Sequence, residues 1–332
     1  MADLQLSLAM STNPRSAPVL SGRIKPESIT FHATDIHPSE IFWRQLHFGD
    51  FDVSEMSMSS FLMLTAAGNR DWVGLPVFTS RRFFHKNIWV RKDSGIKTPA
   101  DLRGKRVGVP EYQQTAALWT RGVLQHEFGV APHEIEWWME RTEQMSHGGA
   151  VGFKPPAGVT VNRIPAEKSI GTMLVDGEID ATLFYLQDNN LVDRSRVTLE
   201  DHPDKLHQLF PDPSAEGRRY FAKTGLYPIN HGMVIRRSIV EQHPWVVLNI
   251  YNAFRLAKEN WLKGVHAAAQ AHLDTGLLSP EMGAVLKRDP YAYGVIGARR
   301  ELDTITRYSH EQGLTPRVLG LDELFAHATL DV

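Results

Sequence analysis

The 332-residue chain contains no cysteine, which removes disulfides, thiolate metal ligands and thiol nucleophiles together. It also lacks charge of one sign. Lys+Arg 36 against Asp+Glu 38 leaves a formal net charge of -2, without the basic excess that a nucleic-acid or acidic-membrane partner favours. No stretch approaches the ~18 to 20 unbroken apolar residues of a membrane span. The opening residues Met1 to Met10 carry no positive n-region and only a short alternating apolar pattern, so they read as a strand rather than a signal peptide, and the expected compartment is the cytoplasm. Histidines number 15, yet no His-Glu-x-x-His motif or compact carboxylate cluster accompanies them. Gly104 to Gly108 is too short for a dinucleotide fingerprint. No cofactor is expected; a divalent ion is left open.

What is present is an alternation of strands and helices. Asp3 to Ala9, Ile29 to Ala33 and Phe51 to Glu55 read as strands, with helices over Pro38 to Phe48 and Ser57 to Ala67, a pattern of βαβ units and an α/β fold in two lobes. Thr79 to Lys86 is dense in cationic and aromatic side chains and is the first candidate crossing between lobes. Thr98 to Pro110 passes from a helical turn through Gly104 into a strand, and Glu111 to Thr115 then opens a helix whose unpaired amides make a seat for an anion. His133 to Trp138 reads as a strand with one tryptophan inward and one outward. Ser146 to Pro156 is glycine-rich, either a mobile loop near a cleft or an exposed linker. Val240 to Lys263, Ala267 to Leu273 and Pro280 to Leu286 read as three helices.

Two segments carry a resemblance. Ala100-Asp101-Leu102-Arg103-Gly104-Lys105-Arg106-Val107-Gly108-Val109 and Met173-Leu174-Val175-Asp176-Gly177-Glu178-Ile179-Asp180-Ala181 are similar to signatures of solute-binding proteins of the sulfonate, nitrate and thiamine-precursor group. Pro228 to Arg236, His243 to Val246, Asp289 to Gly294 and His310 to Leu314 resemble the 4,5-dihydroxyphthalate decarboxylases on the same scaffold. The resemblance implies a two-lobed fold of the type II periplasmic-binding-protein kind, with residues 1–87 and 191–332 forming a discontinuous first lobe and residues 88–190 an inserted second lobe. It implies a small aromatic carboxylate as partner, with no nucleic acid or membrane involved, and leaves a homodimer open. The implied activity is decarboxylation of a hydroxylated aromatic dicarboxylate. A non-catalytic binder of a small organic anion is the alternative, because a closing cleft serves either.

Such a reaction requires an acid, a base and a carboxylate clamp. His231, in a strand beside Gly232, is the expected acid; its plain alternative is a sheet histidine bonded to backbone. Arg81 and Arg82 form the expected clamp, with only one needing to face inward, and the alternative is an exposed arginine pair. Glu111 is the expected base unless it only favours a helix dipole, and His85 is a further candidate for proton transfer. Tyr112, Gln113, Thr115, Ser57, Ser59, Asn13 and Tyr185 complete the expected binding residues. Thr12, Arg15, Glu55 and Gln187 sit at comparable strand ends, where open α/β sheets collect ligands.

Overall fold

The computed structural model describes residues 3–332. The chain enters as β1 (Leu4–Met10), in which Leu6 and Leu8 are buried while Gln5 is exposed. There follow α1 (Ala17–Leu20), β2 (Ile29–Asp35), α2 (Pro38–Phe48), β3 (Val53–Ser57), α3 (Met58–Ala66) and β4 (Trp72–Arg81). Local chemistry sets the helix limits: in α2, Pro38 sits in the first turn and Gly49 closes the helix in the left-handed conformation at φ 60, which glycine adopts without a Cβ penalty.

After β4 the chain crosses over and builds a second sheet from β5 (Ile88–Arg91), β6 (Arg106–Val109), β7 (Glu136–Met139), β8 (Val161–Arg163), β9 (Ala181–Leu183) and β10 (Leu206–Gln208), with α4 (Thr115–Phe128) and α5 (Ile170–Asp176) between strands. Its order is β10-β5-β9-β6-β7-β8. Trp137 is fully buried and Trp138 only partly, as the period of a strand requires. The return runs through α6 (Pro213–Thr224) to β11 (Ile229–Arg236), which completes the first sheet in the order β2-β1-β3-β11-β4 and lies antiparallel to both β3 and β4. α7 (Arg237–Gln242), α8 (Val246–Asp274), α9 (Pro280–Leu286), α10 (Arg299–Glu311) and α11 (Leu321–Leu324) then cover the first lobe. Two sheets joined by two crossings make the two-lobed α/β architecture.

Two boundaries differ from the sequence expectation. β10 pairs with β5 in the second sheet, so the inserted lobe continues to Gln208 instead of closing at residue 190. The polar, proline-bearing segment after Asn190 hides this return because only three residues pair. On the C-terminal side, the helix expected from Val240 to Lys263 is split and extended. Pro244 separates α7 from α8, while α8 runs 29 residues straight through Gly264. A single interior glycine costs a helix about 1 kcal/mol, too little to break one flanked by Ala267, Ala268 and Ala269.

α4 ties the lobes together. Trp119 on its inner face donates its indole N–H to the carbonyl of Ile229 at 2.8 Å, and Arg121 donates to Gln312 at 2.8 Å. One hydrophobic cluster accordingly runs from Leu6 and Phe78 of the first lobe through Tyr112 and Trp119 to Tyr308. No helix among the described residues is long and apolar enough to cross a membrane.

Candidate active site

A cavity of about 310 Å³ opens between the lobes, lined by strand ends and helix starts. Ser11 and Thr12 follow β1, Ser57 ends β3, Gln114 and Thr115 open α4, and Phe184 and Leu186 follow β9. β1, β3, β6 and β9 deliver these residues at their carboxyl ends, where an open α/β sheet gathers its ligands. Ser57 and Thr115 share a hydroxyl hydrogen bond of 2.8 Å, and Thr115 also accepts the Ser59 N–H at 2.9 Å. The two lobes therefore touch at the floor of the cleft.

His231 stands in this cavity from β11, between Ser57 of β3 and Ser80 of β4. The register against β4 slips on either side of it, between Ile229 and His231 and again between His231 and Met233. Such irregularities re-aim a side chain that regular pleating would place by alternation. The neighbouring glycine has the close approach expected of it, since a Cβ on Gly232 would lie 2.9 Å from the Met58 sulfur at the start of α3.

The imidazole is held at both nitrogens. Nδ1 lies 2.8 Å from Glu55 Oε1, and Nε2 lies 2.8 Å from Asn230 Nδ2. An ionised carboxylate can only accept, so Nδ1 carries the proton and Nε2 takes a hydrogen bond from the amide of Asn230. Phe42 meets the ring edge-on at 4.8 Å between centroids. Glu55 is fully buried. Burial would raise its carboxyl, but His231, the Ser11 N–H and the Thr79 hydroxyl outweigh that and hold it below the ordinary carboxylate range.

Arg82 lines the same cavity, is exposed, and among the described residues its guanidinium is engaged in no ion pair. Its neighbour Arg81 turns the other way and is buried against Glu301 at 3.1 Å and the carbonyls of Tyr227 and Ala292. Of the expected pair only Arg82 faces the ligand space. Arg81 is the last residue of β4 and Arg82 the first beyond it, and Arg81 belongs to the core of the first lobe.

A second arginine, Arg141 after β7, reaches the cleft wall but is internally saturated. It donates to Asp193 at 2.7 Å, Ser39 at 2.8 Å and Glu111 at 3.3 Å. Burial opposes its charge, while Asp193 and Glu111 more than compensate and raise its pKa. His147 completes this knot. Its Nε2 lies 3.1 Å from the Ser39 carbonyl, and burial pushes it down to about 4 against the pull of Glu111. Glu111 itself accepts the His147 backbone N–H at 2.7 Å.

Several expected site residues therefore lie elsewhere. Glu111 is buried in the ion pair with Arg141 and does not line the cavity, so the base role expected of it lacks access to a ligand. His85 is buried under α6 with Nε2 2.9 Å from Glu216 Oε1, and Arg219 together with this hydrogen bond holds the Glu216 carboxyl down to about 2 despite burial. Tyr112 is buried with the Arg121 guanidinium 3.7 Å above its ring, and Gln113 is buried behind the cleft wall. Ser59 contributes only its backbone N–H, to Thr115. Asn13 accepts the N–H of Arg15 within its own turn, and Tyr185 donates to the Val197 carbonyl at 2.7 Å. His231, Arg82, Ser57 and Thr115 are the expected residues that the fold brings together.

Sequence reasoning missed His37, Arg141, His147 and Asn230. His37 spends Nδ1 on the Ser39 N–H at the start of α2, leaving its other nitrogen for the cavity it lines. A signal for Arg141 existed in its place at the carboxyl end of β7. His147 stood in the glycine-rich loop already suspected of bordering a cleft. No group of three or more histidine or carboxylate side chains suited to a metal occurs among the described residues.

The comparisons with known proteins agree with this architecture. A family model described as NMT1/THI5 like matches residues 65–146. The chain is similar to a 4,5-dihydroxyphthalate decarboxylase of Comamonas testosteroni, 33% identical over 336 residues that cover 100% of this chain and 99% of the relative. A 4,5-dihydroxyphthalate decarboxylase of Pseudomonas putida is 37% identical over 185 residues, covering 55% of this chain and 71% of the relative. Among solved structures, the periplasmic aliphatic sulphonate binding protein SsuA from Escherichia coli superposes with a TM-score of 0.54 at 15% identity, covering 98% of this chain and 92% of that one.

Proposed function

The chain belongs to the 4,5-dihydroxyphthalate decarboxylase family, and on that premise we propose that it converts 4,5-dihydroxyphthalate to protocatechuate and CO2 in the cleft between its lobes. The observation that carries the reading is His231, presented to the cavity with a fully buried carboxylate behind it. A ligand-binding cleft alone has no need of a histidine so backed.

Direct loss of CO2 from the ring leaves an unstabilised aryl carbanion, so protonation comes first. The hydroxyl para to the departing carboxylate gives up its proton to solvent in the open cleft, from which the phenolate later recovers one, and the oxygen electron pair moves into the ring. His231, as imidazolium, delivers a proton from Nε2 to the carbon bearing that carboxylate. The resulting dienone then breaks its bond to the carboxylate; CO2 leaves, the bonding electrons restore the aromatic ring, and the phenolate is reprotonated. Overall one proton replaces CO2. Glu55 stabilises the imidazolium, and the Asn230 amide that bonds Nε2 in the resting site swings away when that nitrogen is protonated, so that the Nε2 proton faces the substrate carbon.

Arg82 pairs with a substrate carboxylate as a planar donor fork, and the Ser11, Thr12, Ser57, Ser80 and Thr115 hydroxyls around the cavity meet the remaining polar groups. No metal or cofactor takes part in this scheme. The test is incubation of purified, metal-stripped protein with 4,5-dihydroxyphthalate, following protocatechuate and CO2. Stoichiometric conversion that falls at least 100-fold in folded His231→Ala is expected, taking general acid catalysis at about 10²- to 10⁴-fold. Tight binding without turnover, unrescued by divalent ions, would replace the enzyme by a binding protein.

A further inference from the structure

On the other side of the crossing segment that carries Arg82 lies a second cavity, of about 360 Å³, whose walls include Phe83, Lys86, Arg218, Phe221, Tyr227 and Tyr291. Its walls come from both crossings between the lobes. Phe83 and Lys86 belong to the outgoing segment, whereas α6 and Tyr227 belong to the return. The rings converge: Phe83 lies 4.8 Å from Tyr227 and 6.4 Å from Phe221, and Tyr227 lies 5.9 Å from Tyr291. α6 admits the Phe83 ring only because position 217 is glycine, where a Cβ would lie 3.0 Å from Phe83 Cδ2.

The charge at this groove is of one sign. Lys86 and Arg218 are its only ionisable lining residues besides the two tyrosines, and no carboxylate lines it. Among the described residues the Lys86 ammonium makes no ion pair, and Arg218 reaches only Asp212, at 3.7 Å with both side chains mostly exposed. The acidic residue of this helix, Glu216, is turned away and committed to His85 and Arg219. An aromatic slot with unspent cations selects a flat ring bearing an anionic group. Ring stacking and edge contacts supply the apolar part, and a charge-assisted hydrogen bond the remainder.

We propose that this groove is a second binding site, distinct from the cleft, for a single-ring aromatic carboxylate. Because Phe83 directly follows Arg82, an occupant that bears on the Phe83 ring also bears on the backbone that aims Arg82 into the cleft. The site is thereby placed to couple the level of an aromatic acid to the binding of ligand between the lobes.

The test uses benzoate as the probe, with neutral benzamide as the contrast, and counts sites on the full-length chain by equilibrium dialysis. Arg218 is exposed and Lys86 only half-buried, so the double variant Lys86→Glu with Arg218→Glu is expected to fold, and Lys86→Gln with Arg218→Gln serves as a milder second pair. Losing a charge-assisted contact weakens binding by about tenfold or more. The expected result is a benzoate site that both double variants weaken to that extent, that Arg82→Glu leaves intact, and that benzamide does not fill. A benzoate stoichiometry unchanged in the double variants, or binding abolished by Arg82→Glu alone, overturns the proposal. Benzoate held only at the groove, with no turnover of dihydroxyphthalate in the cleft, would uphold this site while removing the decarboxylase reading.

Discussion

Replacing Glu55 by Gln tests the proposed acid most sharply, because the two side chains have the same shape and differ in charge and in hydrogen-bond direction. The carboxylate takes four donors: His231 Nδ1 at 2.8 Å and the Thr79 hydroxyl at 2.6 Å on Oε1, and the Ser11 N–H at 2.9 Å and hydroxyl at 2.7 Å on Oε2. An amide offers one oxygen and an NH2 group. If its oxygen stays toward His231, the NH2 faces the Ser11 N–H, donor against donor. If it flips, His231 must surrender the Nδ1 proton and adopt the other tautomer. Either way the imidazolium loses its buried counter-charge, and a hydrogen bond to a charged group is worth about 1.5–3 kcal/mol. On the transition state for ring protonation this is about a 10- to 150-fold fall in kcat. KM should move less than kcat, since Arg82 and the Thr12, Ser57, Ser80 and Thr115 hydroxyls make no bond to Glu55 and only Ser11 of the hydroxyl lining does. Steady-state release of CO2 at saturating and limiting substrate separates the two quantities. Undiminished kcat in a folded Glu55→Gln protein, or a loss confined to KM, would refute the proposed role of the pair.

Other consequences are separable from it. Arg81→Ala strands the nearly buried Glu301 and two backbone carbonyls, so a loss of roughly 3–5 kcal/mol is expected in urea unfolding. By contrast, Arg82→Ala should stay within about 0.5 kcal/mol of the parent in stability and raise KM at least tenfold. His147 gives a pH signature. Its folded pKa of about 4 lies below its ordinary 6.5, so between those values the unfolded chain binds a proton that the folded chain refuses. Stability falls as pH falls through this window, by about 2 kcal/mol from pH 6.5 to pH 5, and His147→Gln should remove that part of the slope in parallel unfolding curves. Finally, Gly122→Ala on α4 should destabilise despite the gain in helix propensity. The new Cβ would sit 2.1 Å from Tyr308 Cδ2, and overpacking of this kind costs roughly 1–3 kcal/mol against a gain of about 1 kcal/mol.

Much of the fold is written in local patterns. Strand alternation around Leu6 and Leu8, Pro38 and Gly49 at the ends of α2, and the turn-glycine-strand block before β6 each act within a few residues, so the chain shows them directly. The place of His231 in a strand beside Gly232 was legible for the same reason. The choice between Arg81 and Arg82 was not, because it depends on where β4 ends and on slips in the register of β11 against β4. The knot of Ser39, Glu111, Arg141, His147 and Asp193 draws on four separate segments, and no spacing along a chain records a contact of that order. Glu111 illustrates the resulting error: a carboxylate at a helix start read as a base, whereas an arginine 30 residues later claims it.

α4 bears on what kind of unit the inserted lobe is. Its indole and guanidinium groups hold β11 and Gln312 of the first lobe, and the Tyr308 ring closes over Gly122. Excising residues 88–208 would thus expose Trp119 and leave a buried guanidinium without its amide partner, while the remainder would lose the wall on which α10 rests. The inserted lobe is not a portable module, and circular permutants or chimaeras cut at its two crossings should aggregate where those cut within the solvent-exposed tip between α8 and α9 should not.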